Sequence, residues 1–102
     1  MAKKSEALKA RHTSAVPRGI ATKSVYAARA ENAEIWDVDG KRYIDFAAGI
    51  AVVNTGHRHP KVMAAVAAQL NNFTHTCFNV APYEEYIRVA ERLNKAAPGN
   101  FA

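Results

Sequence analysis

The sequence predicts an α+β segment: an N-terminal helix, an antiparallel hairpin and two further helices. Three observations predict it. An Asp39-Gly40 dipeptide separates two short β-forming runs. Apolar residues recur at helical spacing after Pro60. They recur again after Pro82, until Pro98-Gly99 breaks the pattern.

The elements follow in order. "KKSEALKARH" reads as a short helix with a weak apolar face, Ala7 and Leu8, capped at or near Ser5. Pro17-Arg18-Gly19 breaks it, and residues 13–30 read as an extended connection. Ile35-Trp36-Asp37-Val38 and Arg42-Tyr43-Ile44-Asp45-Phe46 read as two strands. Asp39-Gly40 between them suits a type I′ turn, which needs positive φ at both central residues. A two-stranded ribbon is marginal in water and must pack on something else. Pro60 can open a helix, since its missing N–H costs nothing at the first position. Val62, Met63, Val66 and Leu70 make one stripe, and Asn71-Asn72 end it. In the last helix Glu84 and Glu85 favour the positive end of the dipole. Tyr83, Tyr86, Ile87, Ala90, Leu93 and Ala97 form its expected buried face.

Composition bounds the function. A chain of 102 residues is at most one domain, and its 49% apolar and 23% charged content is that of a globular protein. The longest apolar run, Phe46 to Val53, is far too short to span a membrane, so no membrane partner is expected. No long apolar block follows Lys3 and Lys4, so no secretory leader is expected either. The net charge of +5 is scattered, without the dense basic stripe of a nucleic-acid surface, so no nucleic-acid partner is expected. Cys77 stands alone and suits a reducing, cytoplasmic setting. It reads as a partly buried structural thiol.

Motifs for chemistry are sparse. His57 and His59, with His75 and Cys77, repeat an i, i+2 spacing, but neither pair has a familiar metal-binding spacing and no metal is expected. Gly40, Gly49 and Gly56 are too far apart to cradle a phosphate together. The run "FAAGIAVVNTGHRHP" sets Ile50 among Ala47, Ala48, Gly49 and Ala51. Small neighbours leave room. That room serves either strand-on-helix packing around a core Ile50 or the close approach of a ligand at Gly49.

One resemblance bears on this choice. "RAENAEIWDVDGKRYIDFAAGIAVVNTGHRHPKV" resembles the start of class III aminotransferases, which use pyridoxal phosphate. The run "GIAVVNTGHRHPKV" with "THTCFNVAPYEEY" is most similar to bacterial 4-aminobutyrate aminotransferases. The likeness extends from about Pro17 to Pro98. It implies that residues 1–102 are an N-terminal small-domain segment of a fold type I enzyme, with the large cofactor domain lying outside them. It implies transfer of an amino group from 4-aminobutyrate or a similar ω-amino acid to 2-oxoglutarate, in a homo-oligomer when complete. It implies that Ile50 and Asn79 line the substrate site, although close relatives often carry Gln at the latter. The reaction needs a partly desolvated lysine. Lys3, Lys4, Lys9, Lys23, Lys41, Lys61 and Lys95 all fall in polar turns or on helix faces, so no catalytic or cofactor-binding residue is expected here and the chain alone is expected to be inactive. The competing expectation is a small non-catalytic module that associates through exposed apolar faces.

Overall fold

A computed structural model describes residues 3–20 and 22–99. Residues 1, 2, 21 and 100–102, which the expected 1–102 segment also spans, lie outside the described residues. The element order is α1 (Lys4–Ala15), β1 (Ala27–Glu31), β2 (Glu34–Asp37), β3 (Arg42–Ile44), α2 (Ala48–Ala51), α3 (Pro60–Leu70) and α4 (Glu84–Ala96). The α+β class and the order of helix, hairpin and helices stand. The chain divides into two compact units, Met1–Ala65 and Val66–Ala102.

In the first unit the sheet has three antiparallel strands in the order β1-β2-β3, where a two-stranded ribbon was expected. β1 begins inside the stretch expected to be an extended connection and ends one residue past it. Its residues have little intrinsic β preference. Pairing holds it: Arg29 faces Trp36, and its guanidinium carbon lies 3.5 Å from the indole centroid, a cation–π contact. Asn32, with φ +51, starts the two-residue turn into β2, and Asn tolerates this left-handed region better than most residues. β3 stops at Ile44, so Phe46 leaves the sheet and is 95% exposed.

The β2–β3 turn differs from the expected type I′ form. Only Gly40 has positive φ, at +85, and Asp39 does not. Gly40 N–H donates to the Asp37 carbonyl at 3.0 Å, and Asp37 N–H donates to the Lys41 carbonyl at 2.9 Å. This is a three-residue loop closed by a left-handed glycine. The Asp37 side chain selects it, because Oδ1 accepts the N–H groups of Asp39 and Lys41 and Oδ2 accepts from Tyr43 Oη. Partial desolvation pulls the Asp37 carboxyl upward, but these hydrogen bonds outweigh it and leave the group below its ordinary 3.8. The same bond pushes the Tyr43 phenol above 10.0.

α1 runs on to Ala15, and Lys3 rather than Ser5 precedes it without a side-chain cap. Ser5 is drawn elsewhere: its N–H and hydroxyl both donate to the Asp39 carboxylate. That places an acid at the positive end of the helix dipole. His12 and Tyr26 share a second contact, at 3.4 Å between Nδ1 and Oη.

α3 begins as expected. His59 Nδ1 accepts the Lys61 N–H and the His59 carbonyl accepts the Met63 N–H. In the second unit, Phe78 stacks on Tyr86 at 4.2 Å between centroids, and Tyr83 meets Phe73 and Phe78 edge-on at 5.5 Å. α4 starts at Glu84, with Tyr83 preceding it in extended conformation. Its expected buried face is bare in the middle: Tyr86, Ile87 and Leu93 are 55%, 47% and 63% exposed, while Tyr83 and Ala97 at its ends are half-buried. Among the described residues no hydrophobic side chain is buried, and within the first unit only the strands pack on one another as elements. No helix of the described residues is long and apolar enough to cross a membrane.

Candidate functional site at a left-handed turn

The segment after β3 is the most unusual in the chain. Ala48, Gly49, Ile50 and Ala51 have φ of +48, +63, +59 and +62. These four residues make a left-handed helical turn, flanked by Ala47 and Val52 in right-handed conformation. Each non-glycine residue placed there costs about 1–2 kcal/mol, because Cβ crowds the following carbonyl. Ile50, branched at Cβ, suffers most. Strain of this kind persists only where the surroundings over-determine it, and it concentrates at functional sites.

The surroundings here are specific. Asp45 Oδ1 accepts the N–H groups of Ala47 and Ala48, at 2.9 and 3.0 Å. Asp45 Oδ2 lies 2.6 Å from His57 Nε2. The two side chains are 6% and 20% exposed, so water screens this pair poorly. The hydrogen bond to His57, with those from Ala48 and Ala47, holds the Asp45 carboxyl below its ordinary 3.8 against an opposing desolvation. His57 is itself anchored. Its N–H donates to the Asn32 carbonyl and its carbonyl accepts the Asn32 N–H, at 2.8 and 3.0 Å. Gly56 makes this bridge possible: its φ is +89, and a Cβ there would meet Asn32 Oδ1 at 3.1 Å and Asn32 Cα at 3.2 Å. A hollow of about 200 Å³ lies behind the turn, lined in part by Asn32, Asp45, Ala48 and His57.

Ala48 faces this hollow, while the side chains after it in the turn are displayed outward. Ile50 is 91% exposed and Val52 is 78% exposed. Ile50 shares this lack of burial with every other hydrophobic residue described. Asn79, in the second unit, is exposed in a turn closed by the Val80 and Ala81 N–H groups, which both donate to the Cys77 carbonyl. Cys77 is exposed, not partly buried, and has φ +55. The reading from sequence named Ile50 but missed Asp45 and His57 as its support. The signal was present: an Asp two and three residues before a small-residue run is placed to accept its N–H groups.

All seven lysines, Lys3, Lys4, Lys9, Lys23, Lys41, Lys61 and Lys95, are exposed. Among the described residues no group of three His, Cys, Asp or Glu side chains is placed to hold a metal ion.

Comparison with known proteins gives the chain a family. The family model for aminotransferase class-III matches residues 15–101. The chain is 56% identical over 102 residues to a 5-aminovalerate aminotransferase of Pseudomonas aeruginosa, covering 99% of this chain and 24% of that protein. It is 54% identical over 93 residues to a 4-aminobutyrate aminotransferase of Escherichia coli, covering 90% of this chain and 22% of that protein. The structure matches an acetylornithine aminotransferase from Elizabethkingia anophelis with a TM-score of 0.78 and 26% identity, over 92% of this chain and 24% of that one. The chain thus spans about a quarter of the length of the curated relatives it matches. A family match over residues 15–101 and a shared backbone course together establish that the chain belongs to the class III aminotransferases.

Proposed function

We propose that this chain is the N-terminal small-domain segment of an aminotransferase that takes the amino group of a short ω-amino acid, 4-aminobutyrate or 5-aminovalerate, and passes it to 2-oxoglutarate. The observation that carries the reading is the exposed Ile50 on a turn whose backbone is strained and doubly tethered. An ω-amino acid has charged ends and an apolar middle. Its methylenes need a dry wall, and each one buried is worth about 0.8 kcal/mol. Ile50 offers that wall, and the adjacent Gly49 lets backbone approach closely. Asn79 offers an amide that both donates and accepts, suited to a polar end of the substrate. The similarity to both a 4-aminobutyrate and a 5-aminovalerate aminotransferase supports the substrate class.

The family implies pyridoxal phosphate as cofactor. The residues present do not fit that group by themselves. A lysine that reacts with a carbonyl needs desolvation, and every lysine here is exposed. The reading therefore assigns cofactor binding and the chemical step to the remainder of the complete enzyme, and inactivity to the chain alone. It includes a homo-oligomeric, cytoplasmic protein, for which the bare apolar stripes and the free Cys77 are the support.

Ile50→Ala in the complete enzyme tests the wall. The expected result is a KM for 4-aminobutyrate raised roughly five- to thirtyfold, from the loss of about 1–2 kcal/mol of apolar contact, with kcat changed far less. An unchanged KM for both ω-amino acids sinks the assignment.

A further inference from the structure

We propose that Asp45 and His57 are positioning residues, which hold the left-handed turn in the one conformation that presents Ile50 to the substrate. This rests on the reading of Ile50 as a pocket wall. The turn is unstable by itself. Ala48, Ile50 and Ala51 all sit where L-residues are disfavoured, so the segment left to itself relaxes to right-handed or extended backbone. Hydrogen bonds within the turn do not decide the matter, because either hand can form them.

Asp45 does decide it. One oxygen fixes the N–H groups of Ala47 and Ala48, the entry to the turn. The other fixes His57, twelve residues on, beyond the exit. His57 cannot drift, because its backbone exchanges two hydrogen bonds with Asn32 at the β1–β2 turn. Both ends of the strained segment are thus referred to the sheet. Neither Asp45 nor His57 needs to touch substrate. Loosening either changes where the Ile50 side chain stands, and a misplacement of about 1 Å in a site can cost a hundredfold in rate or binding.

The test is a double-mutant cycle in the complete enzyme, with 4-aminobutyrate as amino donor. Asp45→Ala is expected to raise KM about tenfold, as befits a lost charge-assisted hydrogen-bond set, with kcat within about twofold. Asp45→Asn keeps an oxygen for Ala47 and Ala48 and is expected to fall between Asp45→Ala and the parent. Asp45→Ala combined with Ile50→Ala is expected to be no worse than Ile50→Ala alone, since Asp45 acts only through the Ile50 contact. Multiplicative effects on KM overturn the proposal. If Asp45→Ala does not fold, His57→Ala takes its place in the cycle.

Amide hydrogen exchange at Ala47 and Ala48 supplies an arm independent of substrate. Loss of Asp45 is expected to speed it about tenfold or more, as local opening becomes easier. Parent-like exchange overturns the proposal whatever the kinetics. Should Ile50→Ala leave KM unchanged, the wall reading fails by itself, and exchange alone then decides whether Asp45 holds the turn.

Discussion

Asp45 uses both carboxylate oxygens, and its ionisation state therefore governs two tethers at once. Its folded pKa lies below 3.8, chiefly through the His57 hydrogen bond. The sign follows from linkage. The unfolded chain binds the proton more readily, so this contribution to stability is fully present above the ordinary carboxylate value and is lost as pH falls through the lower folded value. Replacing Asp45 by Asn removes that term. In the complete enzyme, unfolding free energy is thus expected to fall less steeply for Asp45→Asn than for the parent as pH drops below about 4. Urea titrations at a series of acid pH values measure both slopes, and parallel curves would contradict the assignment. Tyr43 and Asp37 form a second such pair in the hairpin: their bond raises the phenol, and against partial desolvation the Lys41 N–H, Tyr43 and the Asp39 N–H together lower the carboxyl.

Among the elements, α4 poses the sharpest contrast between what it is and what it shows. It gathers Tyr86, Ile87 and Leu93 on one stripe, yet leaves all three exposed. On the proposed reading this stripe is covered in the complete enzyme. Leu93→Asp is then expected to destabilise the complete enzyme by about 2–4 kcal/mol, the scale of removing a core leucine. The same substitution leaves the helical circular dichroism of the 102-residue chain nearly unchanged. Equal stability of the two complete enzymes in thermal melts would show the stripe to be uncovered. The start of α3 at Pro60, the stripe of α4 and the turn at Asp39-Gly40 were legible because local chemistry suffices to set them. β1 was not legible, since Ala27 to Glu31 are held by partners, Arg29 on Trp36 above all. The detailed β2–β3 turn was missed for a related reason. The Asp37 side chain captures two N–H groups and overrides the preference of the dipeptide. The left-handed turn was the hardest to foresee, because positive φ at Ala and Ile opposes their local tendency and depends on His57, twelve residues away.

For the whole molecule the decisive fact is that no described hydrophobic residue is buried. Folding must outweigh roughly 1–2 kcal/mol of backbone entropy per ordered residue, and burial is the main source of that energy. The purified 102-residue chain is therefore expected to show helical circular dichroism without a cooperative melt, and to gain no visible absorbance when mixed with pyridoxal phosphate. A sharp two-state transition would support the competing picture of a self-sufficient interaction module. Absorbance from covalently captured cofactor would overturn the inactivity assigned to the isolated chain. Of the candidate site, Ile50 and the local half of its tether at Asp45 were legible in the sequence, while the His57 half was not, because it is a property of three segments brought together: the β1–β2 turn, the end of β3 and the loop before α3.

If Ile50 is the proposed pocket wall, the left-handed turn sets two selective pressures against each other at position 50. Glycine there would relax the backbone, and asparagine would ease it, so a search for heat-resistant variants drifts toward both. A search for tight grip on an aliphatic donor drifts back to a branched hydrocarbon. On the proposed reading, tailoring the complete enzyme to longer or shorter donors thus trades thermal robustness against grip at a single codon.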